Sequence, residues 1–163
     1  MSADKLIVVV DTNVWLDNYL GGRPRSRLSR EFIVSALQRG VQLAYPVHVV
    51  KDVFYLLQLN LKRKTREKGD LSEGDAAAIS VAAWSCINNM REMATAVGAD
   101  ESDVWQACKY RQLTGDLEDN LVIAAAQRAQ ADFLVTNDGK LIRKSPVPAF
   151  MPEDATAYLD TLS

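Results

Sequence analysis

Leu6-Ile-Val-Val-Val10 is an unbroken aliphatic run that stops at Asp11. A run without polar alternation is what a strand covered on both faces requires, as in a parallel sheet with helices above and below. Ala131 to Thr136 has a similar composition and also stops short of an acid, Asp138. Val41 to Tyr45 reads as a shorter strand, and Pro146 to Met151 as an edge strand, where prolines are tolerated. Between them the apolar spacing turns helical. Val14, Trp15, Leu16, Tyr19 and Leu20 predict a short helix closed by Gly21-Gly22, and Ser29 is placed to cap a helix through Gln38 that Gly40 ends. Pro46 suits the first turn of a helix whose stripe is Val49, Val50, Val53, Leu56 and Leu57. Gly74 to Val97 predicts one long Ala-rich helix before Gly98, Ser102 caps another through Tyr110, and Asp116 opens a last one to about Ala129. Strands separated by helices predict an α/β fold with parallel pairing and right-handed crossovers.

Composition narrows the classes. The chain has 163 residues, 48% hydrophobic and 25% charged, which excludes disorder and fibrous repeats and predicts one domain over residues 1–163. Leu6 to Val10 is far short of the ~18 apolar residues a membrane span needs, so no membrane association is expected. The start of the chain lacks the basic and apolar pattern of a secretory leader, and two cysteines, Cys86 and Cys108, suit a reducing cytoplasm. The net charge of −2 does not announce a nucleic-acid binder. Its placement is uneven, however: Arg23, Arg25, Arg27 and Arg30 form one cluster, and Lys62, Arg63, Lys64, Arg66 and Lys68 another. Charge alone leaves two readings open, solvated surface segments or patches that face phosphates.

The acids carry more information. Asp11 and Asp138 follow the two best strands, and active sites of open parallel sheets lie outside the strands' carboxyl ends. Either alone is equally a helix cap. Asp52 has His48, Val49, Tyr55 and Leu56 as its helical neighbours, so it borders the apolar stripe and should meet a cation, a metal or a basic side chain. Asp116 and Asp119 share the first turn of a helix in a cap-and-N3 pattern. So many acids at strand ends and helix starts repel one another unless a cation holds them, and all-oxygen ligands select Mg2+ or Mn2+. Such sites suit phosphoryl chemistry. Other chemistries have less support: His48 is the only histidine, the two cysteines lack further partners for zinc, and no glycine-rich phosphate loop is present. Trp15, Trp84 and Trp105 are expected to fill core.

Three segments, Val8-Val-Val-Asp-Thr-Asn-Val-Trp-Leu16, Asp119-Asn-Leu-Val-Ile-Ala-Ala-Ala126 and Leu134-Val-Thr-Asn-Asp138, resemble in order and spacing the PIN-domain ribonucleases, which include the VapC toxins of toxin–antitoxin modules. The resemblance spans nearly the whole chain. It implies a three-layer α/β/α sandwich with a mainly parallel central sheet and an Mg2+- or Mn2+-dependent endoribonuclease site. Asp11, Asp52, Asp119 and Asp138 match the family's four acids in order, although its second position is usually Glu, one methylene longer. Asp116 is an accessory candidate ligand. Asn13 and Thr136 match polar positions that orient water or carboxylates. Arg23, Arg25, Arg27, Lys62, Arg63 and Lys64 then become candidate RNA contacts. The toxin reading further implies a small antitoxin partner and homodimer pairing; against it, the stretch from about 62 to 110 is long for a compact toxin. The rival readings are a catalytically silent PIN-like module that binds RNA or protein, and a phosphatase of the haloacid-dehalogenase kind. The latter wants a second Asp where Asn13 stands, although Gly115-Asp116-Leu-Glu-Asp119 resembles its late acidic motif.

Overall fold

The computed structural model describes residues 5–162. Five strands, β1 (Ile7–Val10), β2 (Gln42–Pro46), β3 (Thr95–Val97), β4 (Phe133–Val135) and β5 (Ala149–Phe150), form one sheet in the order β3-β2-β1-β4-β5. Every pairing is parallel, with Val9 opposite Ala44 on one side and Leu134 on the other. Val8, Val9 and Val10 are completely buried, the outcome expected of a central strand with helices over both faces.

The chain first steps leftward through the sheet, from β1 to β2 to β3, and then returns past β1 to β4 and β5. With right-handed crossovers this reversal puts the two sets of helices on opposite faces. On one face α1 (Thr12–Tyr19) packs between α2 (Ser26–Gln38) and α3 (Val49–Arg66), α4 (Glu73–Met93) packs on α3, and the closing helix α8 (Pro152–Thr161) leans on α2. On the other, α5 (Glu101–Lys109) and α6 (Leu117–Arg128) pack together, and α6 covers β1, β2 and β4 with Val122, Ile123 and Ala126. A short helix, α7 (Gly139–Lys144), links β4 to β5. The result is the three-layer α/β/α sandwich with a parallel sheet.

Several boundaries differ from the sequence reading for identifiable reasons. The long Ala-rich helix ends at Met93, because Ala94 turns extended and Thr95–Val97 pairs with β2 as an edge strand. Pro46 closes β2 instead of opening α3, which starts at Val49. α2 begins at Ser26, which leaves Ser29 buried inside the helix; α5 is capped by Asp100 with Asp103 in a reciprocal box, so Ser102 is not its cap. Trp15 fills core as expected, its Nε1 donating to the Val10 carbonyl at 3.2 Å. Trp84 and Trp105 do not: they are 58% and 59% exposed. Among the described residues no helix is long and apolar enough to cross a membrane.

Candidate active site

Because all strands run one way, their carboxyl ends share an edge, and Asp11 stands there at the end of β1. It is 5% exposed. Its Oδ1 accepts the Thr12 backbone N–H at 2.7 Å, capping α1, and its Oδ2 accepts the Thr136 hydroxyl at 2.7 Å and Asn13 Nδ2 at 3.3 Å. Burial pushes the Asp11 carboxyl up from its ordinary value and the nearby Asp138 adds to this, while those hydrogen bonds oppose it. Thr136 also accepts the Asp138 backbone N–H at 3.0 Å, so one hydroxyl orients both strand-end acids.

Asp116 and Asp138 are helix caps, as a bland reading of each would have it. Asp116 Oδ1 accepts the N–H groups of Glu118 and Asp119 at 2.9 and 3.3 Å, and Asp138 Oδ1 accepts those of Lys140 and Leu141 at 2.8 and 3.4 Å. Each uses one oxygen for this, and the other accepts no hydrogen bond from the described residues. Capping therefore fixes these carboxylates without exhausting them.

Asp119, in the first turn of α6, accepts no hydrogen bond through its side chain from the described residues. Its carboxyl is pushed up to about 7, first by burial and then by the charges of Asp116, Asp11, Asp138 and Glu118. The structure thus gathers Asp11, Asp116, Asp119 and Asp138 into one electrostatic group, and among the described residues no basic side chain forms an ion pair with any of the four. Asp52 joins only at the flank. It lies half-buried in the first turn of α3 and reaches the group through Glu118, which is raised by burial and by Asp52, Asp11 and Asp116. The cation expected beside Asp52 is Lys51, 3.5 Å away on an exposed side, a contact of little energetic weight. His48 is half-buried, its Nε2 lacks a partner, and burial lowers its pKa.

Glu118 escaped the sequence reading. It sits between two acids already assigned to capping, and only the fold turns it toward Thr12, whose hydroxyl donates to it at 3.4 Å. Asp17 and Asn137 were missed as well. Asp17 is 4% exposed on α1 and accepts Arg23 Nε and, at 2.6 Å, Asn137 Nδ2.

The donor set suits a hard divalent cation: oxygens only, several carboxylates held by helix N-termini, and an Asp119 carboxyl raised by burial and by the acids around it. Among the described residues, no three acidic, His or Cys side chains stand close enough as they are to hold one ion.

The basic candidates are partly committed to the protein itself. Arg23 pairs with Asp17, Arg25 with Glu153 and Arg27 with Glu31. Lys64 Nζ donates to the Gly21 carbonyl at 2.9 Å, which joins the end of α3 to the α1–α2 loop and so brings the two basic clusters side by side. Arg63 donates to Asn60 at 3.3 Å, and Lys62 is half-buried. An open groove of about 670 Å³ runs along Gly21, Arg23, Arg27 and Arg30.

A parallel α/β/α sandwich with carboxylates converging at the strand ends defines a class of acidic-site domain. Within that class the chain belongs to the PIN-domain family, whose model matches residues 7–140, the nuclease family that its motifs resemble. Two solved structures share the fold. VapC20 of Mycobacterium tuberculosis, described as a sarcin-ricin loop cleaving toxin, superposes with a TM-score of 0.58 at 14% identity, over 83% of this chain and 93% of its own. PAE2754 of Pyrobaculum aerophilum superposes with a TM-score of 0.60 at 16% identity, over 96% of this chain and 90% of its own. No curated protein matches the sequence.

Proposed function

We propose that the chain is a single-domain, Mg2+- or Mn2+-dependent endoribonuclease of the cytoplasm that hydrolyses RNA phosphodiester bonds. The observation that carries this reading is Asp119: a carboxyl raised to about 7 by burial and by the acids around it, among them buried Asp11 at the end of β1 of a PIN domain. Perturbed acids in such a place are candidates for function. Asp11, Asp119 and Asp138 would hold the cation, with Asp116 as an accessory ligand and Asp52 at the flank through Glu118. Bound there, a hard dication supplies charge neutralisation and makes water more acidic.

The chain's own groups do the rest. Thr136 and the Thr12 N–H hold both Asp11 oxygens in place, which leaves little reorganisation for the reaction. With its carboxyl near 7, Asp119 is only partly ionised at neutral pH in the metal-free protein, and positive charge beside it would favour the ionised form. Arg23, Arg25, Arg27, Lys62, Arg63 and Lys64 hold backbone phosphates, a contact that carries no base preference. The toxin reading extends this. VapC20 is described as a toxin that cleaves the sarcin-ricin loop, and its shared fold supports a role for this chain as the toxin of a toxin–antitoxin pair, bound by a small antitoxin and paired as a homodimer.

The test is cleavage of a pool of structured RNAs by wild type and Asp11→Asn, each with Mn2+ and with EDTA. Metal-dependent cutting that Asp11→Asn loses while remaining folded is the expected result. Equal cutting by both proteins refutes the site. RNA binding without turnover would assign the chain to the silent binding modules, and turnover of a small phosphate ester alone to the phosphatases.

A further inference from the structure

The acidic cluster does not account for Asp17. None of the raised acids has it as a charged neighbour, yet it is a buried carboxylate, and burial of a charge is costly unless its partners are good. Its partners are Arg23 and Asn137, and Asn137 has every polar side-chain atom engaged. Its Oδ1 accepts Arg25 Nε at 2.6 Å, its Nδ2 donates to Asp17 at 2.6 Å and to buried Ser29 at 3.2 Å, and its backbone N–H donates to Asn13 Oδ1 at 2.9 Å. Asn13 in turn donates to Asp11 and to Thr136, both at 3.3 Å. An unbroken chain of hydrogen bonds therefore runs from the α1–α2 loop to the carboxylate at the centre of the site.

Two features make this more than a brace. Asn137 stands between Thr136 and Asp138, so any shift of its backbone moves the hydroxyl that orients Asp11 and the acid that follows it. Arg23 is bound to Asp17 through Nε alone. Its terminal nitrogens donate to no described residue, and its side chain, 34% exposed, lines the groove shared with Arg27 and Arg30. A guanidinium held by one edge and open at the other is prepared for an anion.

We propose that Asn137 is a positioning residue: it holds the Thr136–Asp138 turn in register with Asp11 and, through Asp17 and Arg25, couples that turn to the arginines that take an RNA phosphate. This rests on the nuclease reading. A phosphate at the open edge of Arg23 shares the guanidinium that neutralises Asp17, so the Asp17–Asn137 bond registers whether the groove is filled.

Two measurements test it. In steady-state RNA cleavage with Mn2+, Asn137→Ala should lower kcat by roughly 10- to 100-fold, the scale of a small misplacement of reacting groups. KM should stay within about twofold, because the arginines remain. Asp17→Asn, which preserves shape, should show the same split and guards against Asn137→Ala failing to fold. An unchanged kcat, or a loss that only follows the unfolded fraction on cooling, overturns the proposal. The second measurement does not need turnover. Inorganic phosphate titrated into 15N-labelled protein in EDTA should shift the Asp138 amide together with the Arg23 Nε–Hε signal. In Asn137→Ala only the arginine signal should move. An Asp138 amide that responds alike in both proteins, or in neither, overturns the coupling. If wild type cuts no RNA while this amide pattern holds, the nuclease reading fails and the coupling survives.

Discussion

Replacing Asp119 with asparagine should stabilise the metal-free protein at pH 8 and lose that advantage as the solution is acidified. The Asp119 carboxyl moves from an ordinary 3.8 to about 7 on folding. The native state therefore binds a proton more tightly than the unfolded chain does across that interval, so the wild type loses stability as pH climbs through it. Above about 7 the penalty is complete; below about 4 it is absent. Roughly three pH units correspond to about 4 kcal/mol for a group shut away from water. Asp119 is only half-buried, so solvent screening cuts this to about 1–2 kcal/mol. Asparagine keeps the shape and carries no charge, and it loses no hydrogen bond because the Asp119 side chain makes none with the described residues. In a domain of this length that gain is a rise in Tm of about 2–8 °C. Thermal unfolding followed by circular dichroism in EDTA, from pH 5 to pH 8, measures it. A variant no more stable than wild type at pH 8 refutes the electrostatic account. So does a gain that stays constant with pH, which would point to packing instead.

Two other outcomes follow from the same structure. Arg128 joins α6 to Asp103 and Asp100 on α5, and its hydrogen bond is the first cause of Asp103's lowered pKa. Asp103 then contributes stability above its unfolded pKa that is lost as pH falls through the folded one, so Arg128→Ala should be weaker than wild type at pH 7, with the gap in chemical-denaturant midpoint closing toward pH 3. Replacing Lys62, Arg63 and Lys64 together with alanine should raise KM for RNA, leave kcat near wild type and flatten the dependence of binding on salt by a slope of about 2–3, because released counterions scale with phosphate contacts. A salt slope equal to that of wild type would remove the end of α3 from the RNA path.

Those features whose causes are local could be read from the chain. Ile7–Val10 and Phe133–Val135 are strands because uninterrupted β-branched and aliphatic residues suit a position covered on both sides, and the acids after them lie at strand ends in any parallel arrangement. Asp116 caps α6 for reasons confined to four residues. From these came the layer architecture, the family and the candidate acids Asp11, Asp116, Asp119 and Asp138. What escaped depends on partners distant in sequence. Thr95–Val97 continues an Ala-rich helical pattern and becomes a strand only because β2 offers an open edge, so pairing overrides propensity. Trp84 and Trp105 have core-forming side chains, but their faces of α4 and α5 have no layer above them. Glu118 needed the approach of α6 to Thr12, and that Asp52 has Glu118 as a charged neighbour depends on α3 and α6 meeting near the end of β1. Asp17 and Asn137 lie 120 positions apart and meet only because β1 and β4 are neighbours. Periodicity and capping act within a turn or two of the chain, whereas the meeting of side chains from separate elements is created by the order of the strands.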